Sequence, residues 1–332
     1  MKIKFKKVNN SNYSLLKNPD WQTNLTKYSK GIKKFHYEIF DYIKNKILPN
    51  ENYNEKKEKT IELLNQIIKL YYPSSKIFLY GSSIQNLETN ESDIDISILL
   101  NINNTDFTEI SFLENLKEIL INEKFSNIEN TELIDAKVPI IKTICNETNF
   151  KIDISLNQTD GINFSELIKN FIINHPILKY MIVFIKRFFS LHNLNNCYNN
   201  GMSSYSLFIY VTHFYQIYIS KKENLINLNF GNFFIEFLNY YVNVFDYKNN
   251  GISIKEGGKV FQIISKYHFN YLNNDDMKIC IESYIDDEID VGKYINYKEI
   301  YLLLHQSLYK IYQLLEDNEN ECLSFLSEIG FK

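Results

Sequence analysis

Residue types that build metal sites and disulfide frameworks are scarce in this chain. Its 332 residues include four isolated cysteines and six scattered histidines. Neither set has the spacing of a metal site or of a disulfide framework, so we expect reduced thiols and no zinc module. Arg187 is the one arginine, which argues against an arginine-rich transit peptide.

Long hydrophobic runs are also missing. The most apolar stretch, residues 177–185, ends at Lys186 and Arg187 well before bilayer length, which predicts a buried helix and no membrane partner. No secretory signal is recognisable at the start of the sequence, so we expect a cytoplasmic protein, with the nucleus or an organelle as alternatives. The length allows one large or two medium domains with a substantial core.

Charge of either sign is not in large excess. The formal net charge is −4. Binding a polyanion would therefore require a locally lysine-lined groove, with aromatic side chains for base stacking. The lysine-rich run at residues 56–59 does not by itself indicate such a groove, and we expect it to be a solvated helix face.

Two acidic residues follow a glycine–serine turn in the first third of the chain. Residues 76–80 read as an apolar strand, residues 81–83 are Gly-Ser-Ser, and residues 93–96 are Asp-Ile-Asp-Ile. Because side chains alternate along a strand, Asp93 and Asp95 are expected on one face. Such a pair is costly without cations, and hard oxygen ligands suit Mg²⁺ or Mn²⁺ bound together with substrate phosphates.

The turn and a later acid complete the predicted site. Gly81 lets the backbone approach a phosphate chain, while the hydroxyls of Ser82 and Ser83 and nearby amides can donate to phosphate oxygens. Asp153 projects from the strand-like residues 150–156 and is the third acid that two-metal chemistry needs. Together these residues predict nucleotidyl transfer; the alternative is that the three acids are ordinary rim carboxylates of a sheet.

Hydrophobic periodicity predicts an α+β protein. A small mixed-sheet domain that carries the acids is expected at residues 75–156, beside a mainly helical domain from residue 164 onward. The predicted helices are 21–48, 54–71, 107–125, 175–193, 203–219 and 298–316. The predicted domains are 1–60 for an N-terminal helical segment packing on the core, 61–160 for the catalytic domain and 161–332 for the helical domain.

Several segments resemble one enzyme family. The glycine–serine turn and the three acids match the signature of the DNA polymerase β-like nucleotidyltransferase superfamily. Within it the chain resembles the terminal uridylyltransferases and noncanonical poly(A) polymerases. The segments that carry this narrower resemblance are 201–205, 245–257, 279–282 and 290–293.

The resemblance implies roles for further residues. It implies a nucleotidyltransferase palm domain beside a helical PAP-associated domain, with the active site in the cleft between them. Lys186 and Ser204 would meet the phosphates, Tyr205 would stack on the base, and Ser165 would lie near the ribose. Ile289 stands where uridylyltransferases of the family commonly have a histidine that favours uracil, so the resemblance favours ATP.

The predicted function is template-independent transfer of nucleotides from an NTP, preferably ATP, to the 3′ end of single-stranded RNA, with Mg²⁺ or Mn²⁺. The alternatives are a terminal uridylyltransferase that uses UTP, an oligonucleotide-synthesising relative activated by duplex RNA, and an inactive scaffold of the same fold. A monomer is expected, with an RNA-targeting protein partner to supply substrate choice.

Overall fold

The structure, a computed structural model, describes residues 29–100, 108–136, 138–196, 200–220, 229–266, 277–316 and 324–331. These residues form two compact units. The sheet unit is Lys46–Lys179, and the helical unit combines the described residues before Lys46 with those after Lys179.

The sheet unit is built on five strands. They are β1 (Lys76–Tyr80), β2 (Ile94–Leu99), β3 (Thr131–Ile134), β4 (Ile140–Ile144) and β5 (Lys151–Leu156). Their order across the sheet is β1-β2-β5-β4-β3. Only the β2–β5 pair among these is parallel, and the other neighbours are antiparallel. The prediction of a small mixed sheet is confirmed.

Alternation along the two central strands separates a core face from a polar face. Ile94, Ile96 and Ile98 of β2 are fully buried, as are Ile152 and Ile154 of β5. Because successive side chains point to opposite faces, the residues between these isoleucines lie on the other side of the sheet. The isoleucines therefore fix the strand orientation that presents the acids.

The helices of the sheet unit are α2 (Glu51–Tyr71), α3 (Ser82–Gln85), α4 (Glu109–Asn122) and α5 (Thr159–Asn174). Leu64 and Ile68 of α2 and Leu116 of α4 join the strand isoleucines in one hydrophobic cluster. Helix α5 packs against α3 and β1. The domain boundaries after residues 60 and 160 stay a prediction.

The helical unit contains most of the remaining elements. Its helices are α1 (Ser29–Tyr42), α6 (Pro176–Leu191, which begins in the sheet unit), α7 (Ser204–Ser220), α8 (Phe230–Asn239), α9 (Ile263–Lys266), α10 (Tyr297–Glu316) and α11 (Phe325–Glu328). A three-stranded sheet of order β7-β6-β8 is formed by β6 (Asn250–Ser253), β7 (Lys259–Gln262) and β8 (Cys280–Ile281). The prediction of a mainly helical domain is confirmed, whereas this small sheet was not predicted.

Aromatic side chains fill the core of the helical unit. Tyr210 of α7 stacks on Tyr241 with ring centroids 3.8 Å apart, and the hydroxyl of Tyr210 lies 2.8 Å from that of Tyr297. All three residues are fully buried. Offset and edge-to-face ring pairs of this kind add roughly 0.5–1.5 kcal/mol each beyond the area they bury.

The first predicted helix, 21–48, is present as α1 followed by a π-helical turn at Ile43–Ile47, while residues 21–28 lie outside the described residues. No single helix in the described ranges is long and apolar enough to cross a membrane. The bent pair α5 and α6 passes the same test of length and composition together, but α6 contributes core residues such as Met181, Val183 and Phe184.

Candidate functional site

Two of the predicted acids are paired across neighbouring strands. Asp95 of β2 is the register partner of Asp153 of β5. Because the two strands are parallel and roughly 4.8 Å apart, their side chains leave the sheet on the same face. Asp93 is the residue directly before β2, and all three acids are partly buried. The sheet thus brings at least two carboxylates side by side.

The glycine of the turn lies against one of these carboxylates. Gly81 directly follows β1 and has a φ of 63°, in the left-handed region. A β-carbon on Gly81 would lie 1.9 Å from Oδ2 of Asp95. Only glycine meets both requirements. The turn that is predicted to hold phosphates and an acid predicted to hold metal are therefore in direct contact.

Ser165 holds this turn in place. Its hydroxyl accepts a hydrogen bond from the amide of Gly81 at 2.8 Å and donates one to the carbonyl of Gly161 at 2.8 Å. The residue is 1% exposed. The observed role of Ser165 is therefore to position the glycine turn, and a contact with the ribose stays a prediction.

Ser82 and Ser83 open the short helix α3 and are both partly exposed. The hydroxyl of Ser83 donates to Oε1 of Glu88 at 2.8 Å, and the same oxygen accepts from Nζ of Lys57 at 2.6 Å. The Lys57 and Glu88 side chains are only 13% and 15% exposed. The hydroxyl of Ser83 is thus directed to Glu88, and Ser82 is the member of the pair without such a contact among the described hydrogen bonds.

Lys57 corrects one sequence-based expectation. Its neighbours Lys56, Glu58 and Lys59 are exposed, as a solvated helix face requires, but Lys57 points to Glu88. The helical spacing could have indicated which face of α2 carries Lys57, because Lys57 lies four residues after the buried Tyr53, but it could not indicate Glu88 as the partner.

A lysine and two tyrosines surround the acids. Nζ of Lys142, on β4, lies 2.7 Å from Oδ2 of Asp153, its register partner. Burial raises the pKa of Tyr80 to about 12, and the charges of Asp95 and Asp153 add to that rise, although a hydrogen bond with Ser155 lowers it. The phenol therefore stays protonated beside the carboxylates. Lys142 was not among the predicted site residues, although its place in the strand beside Asp153 was a usable signal.

The pKa of Tyr53, on α2, is raised by burial first and then by the nearby charge of Glu88, with Asp93 and Asp95 adding to the rise. Its hydroxyl donates to the carbonyl of Ser92, the residue before Asp93, at 3.2 Å. Helix α2 therefore contacts the segment between the turn and the acids at two points.

The donor chemistry of the acids fits a hard divalent cation. Among the residues that the structure describes, no three His, Cys, Asp or Glu side chains lie close enough together to hold an ion. Asp95 and Asp153 nevertheless share one sheet face, and Asp153 already pairs with one cationic group, the ammonium of Lys142. Carboxylate oxygens suit Mg²⁺ or Mn²⁺. That all three acids hold metal stays a prediction.

The other four predicted residues belong to the helical unit. Lys186 lies in the second half of α6 and is partly buried. Ser203 accepts a hydrogen bond from the amide of Ser206 at 2.9 Å and so caps α7, which leaves Ser204 as the exposed first residue of the helix. Tyr205 contacts the loop that ends at Ile289, which is described below.

Two family models match this chain. One, for the poly(A) RNA polymerase, mitochondrial-like, central palm domain, matches residues 37–172, and the other, for Cid1 family poly A polymerases, matches residues 229–283. The chain belongs to the family of noncanonical poly(A) polymerases and terminal uridylyltransferases. The first match contains the whole five-stranded sheet with the glycine turn and the three acids, so the predicted family is confirmed.

Relatives in this family are distant and longer. Poly(A) RNA polymerase CID14 of Cryptococcus neoformans is 28% identical over 234 residues, which are 70% of this chain and 30% of that protein. A Drosophila melanogaster relative, Trf4-2, is named an inactive poly(A) RNA polymerase protein; it is 28% identical over 238 residues, or 70% of this chain and 57% of that protein. The chain thus spans from under a third to over half of the length of these relatives.

Solved structures share the fold. The polymerase core of TRAMP, an RNA surveillance complex, superposes with a TM-score of 0.74 at 20% identity, covering 95% of this chain and 98% of that chain. The Cid1 poly(U) polymerase with bound MgGTP superposes with a TM-score of 0.71 at 17% identity, covering 91% and 99%. The predicted fold class is therefore confirmed.

Proposed function

We propose that this protein is an RNA nucleotidyltransferase that adds nucleotides from an NTP to an RNA 3′-hydroxyl without a template. The observation that carries the proposal is the contact of the glycine turn with Asp95, which itself stands in register with Asp153. In this proposal the backbone of the turn would bind phosphate beside two carboxylates that would bind metal. Relatives named poly(A) RNA polymerase support the same reaction.

In this proposal Asp93, Asp95 and Asp153 would hold Mg²⁺, as the MgGTP-bound neighbour suggests, or Mn²⁺. Bound divalent ions would supply charge neutralisation at the phosphates and activation of the attacking oxygen. The amides of the turn that begins at Gly81, together with the hydroxyl of Ser82, would hold the triphosphate.

The chain's own contribution is mainly positioning. The RNA 3′-oxygen forms a bond to the α-phosphorus, the bond from that phosphorus to the bridging oxygen of the β-phosphate breaks, and pyrophosphate leaves while the hydroxyl proton passes to solvent. Lys142 offsets the charge of Asp153, and Ser165 keeps the amide of Gly81 in its place. Holding reactants in line is a large part of such catalysis.

ATP is the proposed substrate. Ile289 is 49% exposed and apolar, so its side chain cannot make a polar contact to uracil. One alternative is UTP, which the likeness to the Cid1 poly(U) polymerase favours. The other is an inactive scaffold, which the likeness to Trf4-2 favours. We further propose that the RNA substrate is single-stranded and that the protein is a monomer with an RNA-targeting protein partner. We also propose a cytoplasmic location, which imaging of the tagged protein would test.

A primer-extension assay tests the function. Purified protein is given a labelled single-stranded RNA, Mg²⁺ or Mn²⁺, and each NTP separately and then all four in competition. We expect adenosine tails, and we expect Asp95→Asn and Asp153→Asn to lose roughly 100-fold or more of the rate. Asp160→Asn, which removes an exposed acid in the first turn of α5, should extend RNA like the parent protein.

Other outcomes separate the alternatives. Uridine tails would show that the substrate is UTP and not ATP. A protein that makes no tail, and whose melting temperature does not rise with Mg²⁺ and ATP, would be a scaffold. A folded Asp95→Asn protein with full activity would overturn the role given to the acids.

A further inference from the structure

The loop that follows β8 is closed at its base. Glu282 pairs with Asp290 in an antiparallel bridge, and the amide of Ser283 donates to the carbonyl of Ile289 at 3.0 Å. The amide of Ile289 in turn donates to the carbonyl of Asp286 at 3.2 Å. These bonds fix the register of the loop Ser283–Ile289, and they place Ile289 at its end.

The hydroxyl of Tyr205 is built into this loop. It accepts a hydrogen bond from the amide of Tyr284 at 2.9 Å and lies 3.0 Å from Oγ of Ser283. Ser283 is 4% exposed, and its Oγ also accepts from the amides of Ile285 at 3.3 Å and Asp286 at 3.4 Å. Both hydroxyls are therefore occupied by the protein, which leaves the ring of Tyr205 as its surface for a ligand.

The outer part of the loop is tied down as well. Lys255, just after β6, forms an ion pair with Asp287. Its ammonium also lies 6.0 Å from the centroid of the Tyr284 ring. The loop thus has one buried attachment, at Tyr205 and Ser283, and one partly exposed attachment, at Lys255.

We infer that the hydroxyl groups of Tyr205 and Ser283 are positioning groups for nucleotide specificity. They set the distance between the stacking ring of Tyr205 and the side chain of Ile289. This inference rests on the proposed function and on the role that the family resemblance implies for Tyr205, whose ring would stack on the base that Ile289 helps to select. A base is discriminated only when the ring and the selecting side chain are held at a fixed spacing, because a loop that can shift accommodates purine and pyrimidine alike. The hydrogen bonds of Tyr205 supply that constraint.

Tyr205→Phe separates the two functions of this side chain, since it keeps the ring and removes the hydroxyl. Ser283→Ala removes the other half of the attachment without touching the ring. The matched control is Tyr241→Phe, which removes a buried hydroxyl that donates to the carbonyl of Tyr210 at 2.8 Å, within the core of the same unit. All three variants lose hydrogen bonds within the helical unit, but only the first two loosen the loop.

The measurement is the ratio of dissociation constants for ATP and UTP with Mg²⁺, followed by the ratio of kcat/KM in primer extension. We expect Tyr205→Phe and Ser283→Ala to bring the ATP-to-UTP ratio closer to one by about three- to tenfold, the value of one or two hydrogen bonds. Tyr241→Phe should lower the melting temperature and leave the ratio unchanged.

Each result decides the inference. A parent protein that discriminates between the nucleotides, with a Tyr205→Phe ratio equal to its own, would overturn the inference and leave the proposed function intact. A parent that binds ATP and UTP equally would also overturn it. A parent that binds neither nucleotide and makes no tail would overturn the proposed function and the inference together. Nucleotide discrimination without RNA extension would reject only the polymerase reaction, because the binding ratio still tests the loop.

Discussion

A side chain at residue 81 has no room in the site. A β-carbon there would overlap Oδ2 of Asp95, and the φ of 63° is itself unfavourable for any other residue. We expect Gly81→Ala to lower the free energy of unfolding by about 1–3 kcal/mol and to abolish RNA extension, since either the turn or the Asp95 carboxylate must move. Chemical denaturation and primer extension measure the two effects.

Gly161→Ala is the matched control for that change. Gly161 lies in the first turn of α5, and a β-carbon there would approach the Tyr80 ring to 3.2 Å, a contact that a small shift of the ring relieves. This variant should keep most of its stability and activity. Equal losses of stability and activity in both variants would mean that the position of the Asp95 carboxylate does not require a glycine at residue 81.

At the scale of single residues the acids could be predicted, whereas the pairing of Lys57 with Glu88 could not. Asp95 and Asp153 were recognisable because each interrupts a run of isoleucines. In the structure the two acids are register partners, and so are the isoleucines on either side of them. Lys57 and Glu88 are 31 residues apart, so their ion pair exists only once α2 lies across the loop before β2. Local patterning carries no information about such a contact.

At the scale of elements, α2 fixes the segment that joins the turn to the acids. Lys57 reaches Glu88, which holds Ser83. We expect Lys57→Met to cost roughly 1–3 kcal/mol of stability, less than the loss in a fully buried pair, because it leaves the Glu88 carboxylate without its cation. We also expect a raised KM for the nucleotide, since that charge would lie close to the predicted triphosphate site. Urea unfolding and KM for ATP measure these effects.

Lys59→Met is the control from the same helix. Lys59 pairs with Glu147, but the two side chains are 55% and 51% exposed, so this variant should change stability and KM little. Adding Glu88→Gln to Lys57→Met should recover part of the lost affinity, because the unpaired charge is then gone. A double variant with the same KM as Lys57→Met alone would show that the charge of Glu88 does not act on the nucleotide.

Element length explains which parts of the fold were predictable. Helices α4, α7 and α10 have 14 or more residues each, enough for their periodicity to stand out, and they lie close to their predicted positions. The second sheet was missed because β6 and β8 have four and two residues. Strands that short contain too little alternation, and β6 and β8 pair across a long connection.

At the scale of the whole molecule, partly buried Asp290 and buried His213 of the helical unit make the free energy of unfolding depend on pH in opposite directions. Burial raises the pKa of Asp290 to about 6, although hydrogen bonds from the amides of Ile281 and Gly292 lower it. Burial lowers the pKa of His213 to about 4, although its hydrogen bond with the carbonyl of Ser253 raises it. Both groups therefore titrate differently in the folded and unfolded chains between about pH 4 and 6.5.

The signs follow from proton uptake. Folded Asp290 binds its proton more readily than the unfolded residue, so its contribution to stability rises as the pH falls through 6 towards 4. His213 does the reverse, because the unfolded chain takes up the proton first, so its contribution falls as the pH drops from 6.5 to 4. Each effect reaches at most about 3 kcal/mol, and in the parent protein the two partly cancel.

In Asp290→Asn, the loss of stability that His213 causes at low pH should no longer be offset by Asp290. The variant no longer gains stability on acidification, so we expect its melting temperature, relative to that of the parent, to be lower at pH 4.5 than at pH 7.5. The amide keeps an oxygen that can accept from the amides of Ile281 and Gly292, which limits the structural loss. Thermal unfolding of both proteins at several pH values makes the comparison, and it cancels the contribution of the other carboxylates. A difference that does not change with pH would mean that Asp290 is ionised in the folded protein throughout this range and that its burial is offset by the two amides.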